Sequence, residues 1–139
     1  MKYYYWAILA ALAWGVAPLM EKMGLAKIAP VAGVFIRSMA VILGGLAIAV
    51  INPVILKDIA GYNIKSIMFI IAGGILASIF GQLFFYTALK SGEVSKVVPI
   101  AASYPLLSFI LGVLFLNEGV TAAKIAGMVL IIAGIYLLK

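Results

Sequence analysis

Apolar residues along this chain fall into long runs separated by short stretches that carry charge or proline. The first run covers residues 3–20 and closes at the pair Glu21 and Lys22. The second, residues 31–51, is entered after Pro30 and left at Asn52 and Pro53, which places prolines at helix edges, where a missing N–H costs little. A polar connection from Asn52 to Lys65, carrying Lys57, Asp58, Gly61, Tyr62 and Asn63, leads to a third run, residues 67–89. The fourth, residues 97–116, holds Pro99 and Pro105, and the last, residues 120–138, includes Lys124, whose ammonium must snorkel to the surface. A membrane-spanning helix needs about 20 apolar residues. The pattern therefore predicts an all-α integral membrane protein with five transmembrane helices in one domain, residues 1–139, and leaves a four-span alternative open at Lys124.

Composition excludes several classes of function. Hydrophobic residues make up 67% and charged residues 10% of the chain, against about 25% charged in a soluble domain. Cysteine and histidine are absent, which removes thiol nucleophiles, disulfides, haem and iron–sulfur ligation and the usual zinc sites. With one aspartate and no pair of carboxylates inside a span, there is little from which to build an acid–base or metal centre, so neither enzyme activity nor a cofactor is expected. Ten basic residues give a net charge of +6, and most flank the apolar runs. That placement indicates anchoring in the headgroups of a lipid bilayer, not nucleic-acid binding. Tyr3, Tyr4, Tyr5 and Trp6 form an aromatic belt suited to the same interface. Ala11-Leu12-Ala13 has the form of a signal-peptide cleavage site, a reading opposed by the four spans that follow.

Five spans place the connections alternately on two sides. The side of the N-terminus holds Lys2, Lys57, Lys65 and Lys124; the other holds Lys22, Lys27, Lys90, Lys96 and Lys139. Arg37 lies nearer the second side, and the terminal amine offsets it. Orientation follows an excess of Lys and Arg on the cytoplasmic side, and four against five is almost no excess. The count suggests insertion in both orientations and antiparallel pairing with a second copy. A single orientation fixed by a partner or by the insertion machinery stays open.

The later spans carry an ordered series of motifs. Ala88-Leu89-Lys90-Ser91-Gly92-Glu93-Val94-Ser95-Lys96-Val97-Val98-Pro99-Ile100 is followed by Tyr104-Pro105-Leu106-Leu107, Leu116-Asn117-Glu118-Gly119-Val120 and Ala126-Gly127-Met128-Val129-Leu130-Ile131-Ile132-Ala133-Gly134. With Ala13-Trp14-Gly15, Lys22 and Arg37, this series resembles an EamA domain of the drug/metabolite transporter superfamily over nearly the whole chain. The resemblance implies a five-span unit equivalent to one half of a ten-span carrier built from inverted halves, of the stand-alone bacterial and archaeal type. Such a unit must dimerise to complete a transporter. Residues 127–134 are also similar to the last helix of small multidrug resistance proteins, where a glycine face joins two antiparallel subunits. Ala123, Gly127 and Gly134 fall near one helical stripe and are dimer-interface candidates; packing within one chain is the equal alternative. Those proteins carry a glutamate in the middle of the first span, whereas Leu9-Ala10-Ala11-Leu12-Ala13-Trp14 has no carboxylate here. Their proton-exchange mechanism does not carry over.

Polar residues inside the spans supply the candidates for a substrate cavity. Trp14, Pro18 and Glu21 share a stripe in the first span; Ser78, Gln82 and Tyr86, spaced four apart, line one face of the third. Ser103, Tyr104 and Ser108 stand near Pro99 and Pro105, the two candidates for breaking the fourth helix. Arg37 sits six residues inside the second span, about 9 Å deep at 1.5 Å per residue. It either binds a carboxylate or phosphate through its planar fork or holds the fold by pairing with Glu21 or backbone carbonyls. Glu21 likewise reads as a cavity residue or as an interfacial partner of Lys22. Taken together, the expectation is a carrier that moves a small-molecule substrate, by export, across the plasma membrane of a prokaryote as an antiparallel homodimer. The competing class is a membrane assembly module, or a half-subunit that works with a different protein.

Overall fold

A computed structural model describes residues 3–138, and its described regular elements are all helical. The chain forms two compact units, Met1–Ser91 and Gly92–Lys139.

The first unit begins with α1 (Tyr3–Leu25), in which Pro18 is buried. Proline has no N–H, so the Trp14 carbonyl one turn earlier lacks its helical donor. Helix α2 (Pro30–Ile51) starts on proline at its first position and stops at Asn52, whose N–H donates to the Ile48 carbonyl at 2.8 Å. The connection that follows is not merely polar, as its sequence suggested: Val54–Gly61 forms a short helix, α3, packed against α2. Val54, Ile55, Leu56 and Ile59 give it an apolar share that Lys57 and Asp58 mask in a reading for charge.

Helix α4 (Ile64–Ile75) begins three residues before the apolar run, because the Asn63 side chain accepts from the Lys65 N–H at 2.8 Å and caps it. The chain then widens into a π-helical segment, Leu76–Gly81, and narrows again into α5 (Gln82–Ser91). A Cβ at Gly81 would lie 3.3 Å from the Leu76 carbonyl oxygen, so glycine eases the wide turn. The continuous stretch Ile64–Ser91 is 28 residues long.

Helix α5 packs against both α1 and α2. The buried apolar side chains Leu25, Val34, Tyr86 and Leu89 come from these three helices, at the C-terminal ends of α1 and α5 and the N-terminal end of α2. Most other large apolar side chains are exposed, as a lipid-facing surface requires. The two C-terminal ends are cross-capped. The Lys22 Nζ donates to the Leu89 carbonyl at 2.5 Å and the Lys90 carbonyl at 3.3 Å. Lys90 Nζ in turn donates to the carbonyls of Leu25, Ile28 (3.0 Å) and Ala26 (3.5 Å).

The second unit comprises α6 (Val94–Ala101), α7 (Tyr104–Leu116) and α8 (Ala122–Leu137). Helix α6 gives way to α7 at Ala102 and Ser103, between Pro99 and Pro105. Helix α7 ends at Asn117, which adopts a left-handed conformation (φ 53°). The N–H groups of Asn117 and Glu118 both donate to the Gly112 carbonyl. A chain without regular structure then runs to Thr121, whose hydroxyl accepts from the Lys124 N–H at 3.2 Å and caps α8. Lys124 therefore lies in the first turn of α8, and its ammonium turns back to the Gly119 carbonyl at 2.7 Å. At 16 residues α8 spans about 24 Å, less than the ~30 Å hydrocarbon core. Among the described residues, four helical stretches are long and apolar enough to cross a membrane (Tyr3–Leu25, Pro30–Ile51, Ile64–Ser91 and Val94–Leu116). With the shorter α8 they make about five spans.

Candidate functional site

One carboxylate organises the polar interior of the first unit. Glu21, in the last two turns of α1, points its Oε1 at α5, where the Tyr86 hydroxyl donates to it at 3.0 Å and the Gln82 amide at 3.2 Å. Gln82 and Tyr86 are one helical repeat apart, so α5 offers both donors on one face. Arg37, in the second turn of α2, approaches the same oxygen from the other flank, its Nε 3.8 Å away. That separation exceeds the ~2.7–2.9 Å of a charge-assisted hydrogen bond. The ion pair is loose. The two neutral donors hold the carboxylate against α5, and Arg37 Nη1 is buried with no partner among the described residues.

The Glu21 side chain is 17% exposed and that of Arg37 35%. Between them lies a pocket of about 170 Å³ whose wall also includes Gly24, Leu25, Ile28, Gly33, Ile36 and Tyr86. Gly33 is needed for the close approach of α2: a Cβ there would sit 3.1 Å from Leu25 Cδ2 and from two ring carbons of Tyr86. The Tyr86 ring is thus pressed on one side while its hydroxyl is fixed to Glu21 on the other.

Of the residues singled out in the sequence, Glu21, Arg37, Gln82 and Tyr86 converge. Pro18 is buried just before Glu21 on α1, Trp14 is exposed, and Ser78 is half-buried in the π-helical segment. Ser103, Tyr104 and Ser108 belong to the second unit, where Ser103 is half-buried and the other two are exposed. On α8, Gly127 is half-buried, Ala123 and Gly134 are exposed, and a Cβ at either glycine would meet no described atom within 4 Å. The pocket wall adds Gly24 and Gly33, which the sequence reading missed. Their spacing was a usable signal, since Gly24 lies three residues after Glu21 and Gly33 four before Arg37, on the same helical faces.

The whole chain, residues 1–139, matches the EamA-like transporter family. It belongs to that family. Among the relatives of this EamA chain is a protein of Methanocaldococcus jannaschii, 36% identical over 95 residues that cover 68% of this chain and 69% of the relative. The uncharacterized transporter YvbV of Bacillus subtilis is 36% identical over 76 residues, 55% of this chain and 24% of its own length. An uncharacterized transporter of Archaeoglobus fulgidus is 28% identical over 102 residues, 73% of this chain and 37% of its own length. The EamA chain thus matches well under half the length of the two proteins named as transporters. No solved structure matches it. It is a membrane protein of a transporter family, with relatives in bacteria and archaea.

Proposed function

We propose that this protein exports a small metabolite or amphipathic compound across the plasma membrane, and that it works by alternating access as an antiparallel homodimer. The observation that carries the reading is the Glu21–Arg37–Gln82–Tyr86 cluster, which sets an ionised pair against a pocket inside an otherwise lipid-facing unit. Charges inside a membrane are expensive and mark substrate or ion paths. The pocket in one unit, about 170 Å³, is smaller than the ~300–1,000 Å³ of drug-sized sites, so it holds a small solute or one polar end of a larger one. Two oppositely inserted copies would exchange inward-open and outward-open states by symmetry, the physical basis of alternating access in carriers made of inverted repeats. The near balance of basic residues between the two sides supports insertion both ways. The small residues Ala123, Gly127 and Gly134 near one stripe of α8 support it as the contact between copies.

The chain has no cysteine, so single cysteines at Lys27 and Asn63, expected on opposite sides, report topology directly when labelled by an impermeant reagent on intact cells. Comparable labelling at both positions, together with solute release from loaded proteoliposomes that Glu21→Ala abolishes, is the expected result. Labelling at one position alone overturns the antiparallel homodimer and favours a half-subunit with a different, oppositely inserted partner. Absence of transport for every solute class offered overturns the carrier.

A further inference from the structure

The loose ion pair leaves the site electrically unfinished. Arg37, which lines the pocket, meets Glu21 through Nε at 3.8 Å, while its Nη1 is buried with no partner among the described residues. An unsatisfied guanidinium N–H away from water is costly, and a planar donor pair is matched by an oxygen anion, which it can hold in two parallel hydrogen bonds. Glu21 does not fill that role, because Tyr86 and Gln82 hold its nearer oxygen on α5.

Two lysines act on the backbone next to the pocket. Leu25 and Ile28 line it, and their carbonyls accept from Lys90, while Lys22 caps the end of α5 alongside. Beside the carboxylate of Glu21 stand the guanidinium of Arg37 and the ammonium groups of Lys22 and Lys90, the latter two held by helix-end carbonyls. Gly24 leaves its part of the wall without a side chain, and a Cβ there would meet nothing within 4 Å.

We infer that the pocket binds an oxyanion, a carboxylate or phosphate group, on the Arg37 guanidinium, and that Glu21 competes with it there. This names the substrate class for the transport reading and rests on that reading only in taking the bound group as cargo. The competition gives the inference a signature that a purely structural arginine lacks. Removing the negative charge of Glu21 must tighten binding of the anion, while removing Arg37 must weaken it.

The test uses the purified full-length chain in phosphatidylcholine nanodiscs, with radiolabelled inorganic phosphate as probe in a scintillation-proximity assay. Saturable binding is expected, displaced by acetate and not by methylammonium. Arg37→Gln should raise the half-saturating concentration at least about tenfold, Arg37→Lys should raise it less because charge remains while the fork is lost, and Glu21→Gln should lower it severalfold. Circular dichroism establishes that each variant is folded; should Arg37→Gln not fold, Arg37→Lys and Glu21→Gln still decide. No saturable binding, or binding unmoved by both Arg37→Lys and Glu21→Gln, overturns the inference. Repeating the titration with phosphatidylglycerol in the nanodisc separates the sources of the anion. Loss of phosphate binding in the wild type assigns the site to a lipid headgroup; unchanged binding assigns it to a free solute. Binding without uptake into proteoliposomes removes the transport reading and keeps the site, whereas uptake of a solute without anion binding does the reverse.

Discussion

Lys22 and Lys90 each close the helix that the other belongs to. A helix C-terminus leaves its last carbonyls without N–H partners and carries partial negative charge, which an ammonium satisfies on both counts. Here the lysine of α1 serves α5 and the lysine of α5 serves α1, so neither helix can shift along the other without stripping both ends. Lys90→Met keeps the aliphatic stem and removes the donor. It is expected to lower the midpoint of a circular dichroism melt in detergent by about 3–6 °C, with Lys90→Arg closer to wild type.

The Tyr86 hydroxyl decides where the Glu21 carboxylate rests. Tyr86→Phe deletes one of its two neutral donors without changing the packing of the ring. Freed on that side, the carboxylate moves toward Arg37 and occupies the guanidinium more fully. Phosphate binding should weaken severalfold while thermal stability falls by only about 1 kcal/mol. A pronounced stability loss with binding unchanged would refute this ordering of partners.

Glycines in this chain are not equivalent. At Gly33 a Cβ meets Leu25 and the Tyr86 ring at 3.1 Å, whereas at Gly44, on the same helix, it meets nothing within 4 Å. Gly33→Ala is expected to cost about 1–3 kcal/mol through displaced side chains and to reduce binding in the pocket. Gly44→Ala should be neutral or slightly stabilising, since alanine favours the helix. Parallel melts of the two variants check the contrast.

Asn117 holds a left-handed backbone at the end of α7. Asn117→Gly should leave stability nearly unchanged, because glycine enters that region freely. Asn117→Val should cost about 1–2 kcal/mol, as a branched side chain collides with its own backbone there. The same melting assay separates them.

If the balance of basic residues sets dual insertion, tipping it should have a functional cost that a second gene repairs. Asn63→Lys with Gly119→Lys adds two positive charges to the side that holds the N-terminus in the five-span reading. Cysteine labelling should then collapse to one orientation and transport should fail. Co-expression with a variant biased the opposite way should restore it; restoration by nothing, or transport undiminished from one orientation, would rule out the antiparallel pair.

Helices were largely legible from the sequence, because in a bilayer the length of an apolar run and the position of the next charge or proline decide where a helix stops. Convergence on Glu21 was partly legible: helical spacing alone places Gln82 and Tyr86 on one face. Three features were not. The π-helical segment, Leu76–Gly81, depends on how α5 must turn to meet α1 and α2, and no local residue type announces it beyond Gly81. Helix α3 hides in a stretch whose charges outweigh its four apolar residues to the eye. The exchange of caps between Lys22 and Lys90 joins residues 68 positions apart at the backbone, a distance over which periodicity is silent.

The placement of the buried residues has a mechanical consequence. Leu25, Val34, Tyr86 and Leu89, the Glu21 cluster and both lysine caps all lie where α1 and α5 finish and α2 begins. A bundle riveted at one end behaves as a set of cantilevers, whose tips move most and whose root moves least. The pocket sits at the root. Its geometry can therefore stay constant while the far ends of the same helices move, and if the proposed transport holds, gripping a ligand and moving it would fall to opposite ends of the same three helices.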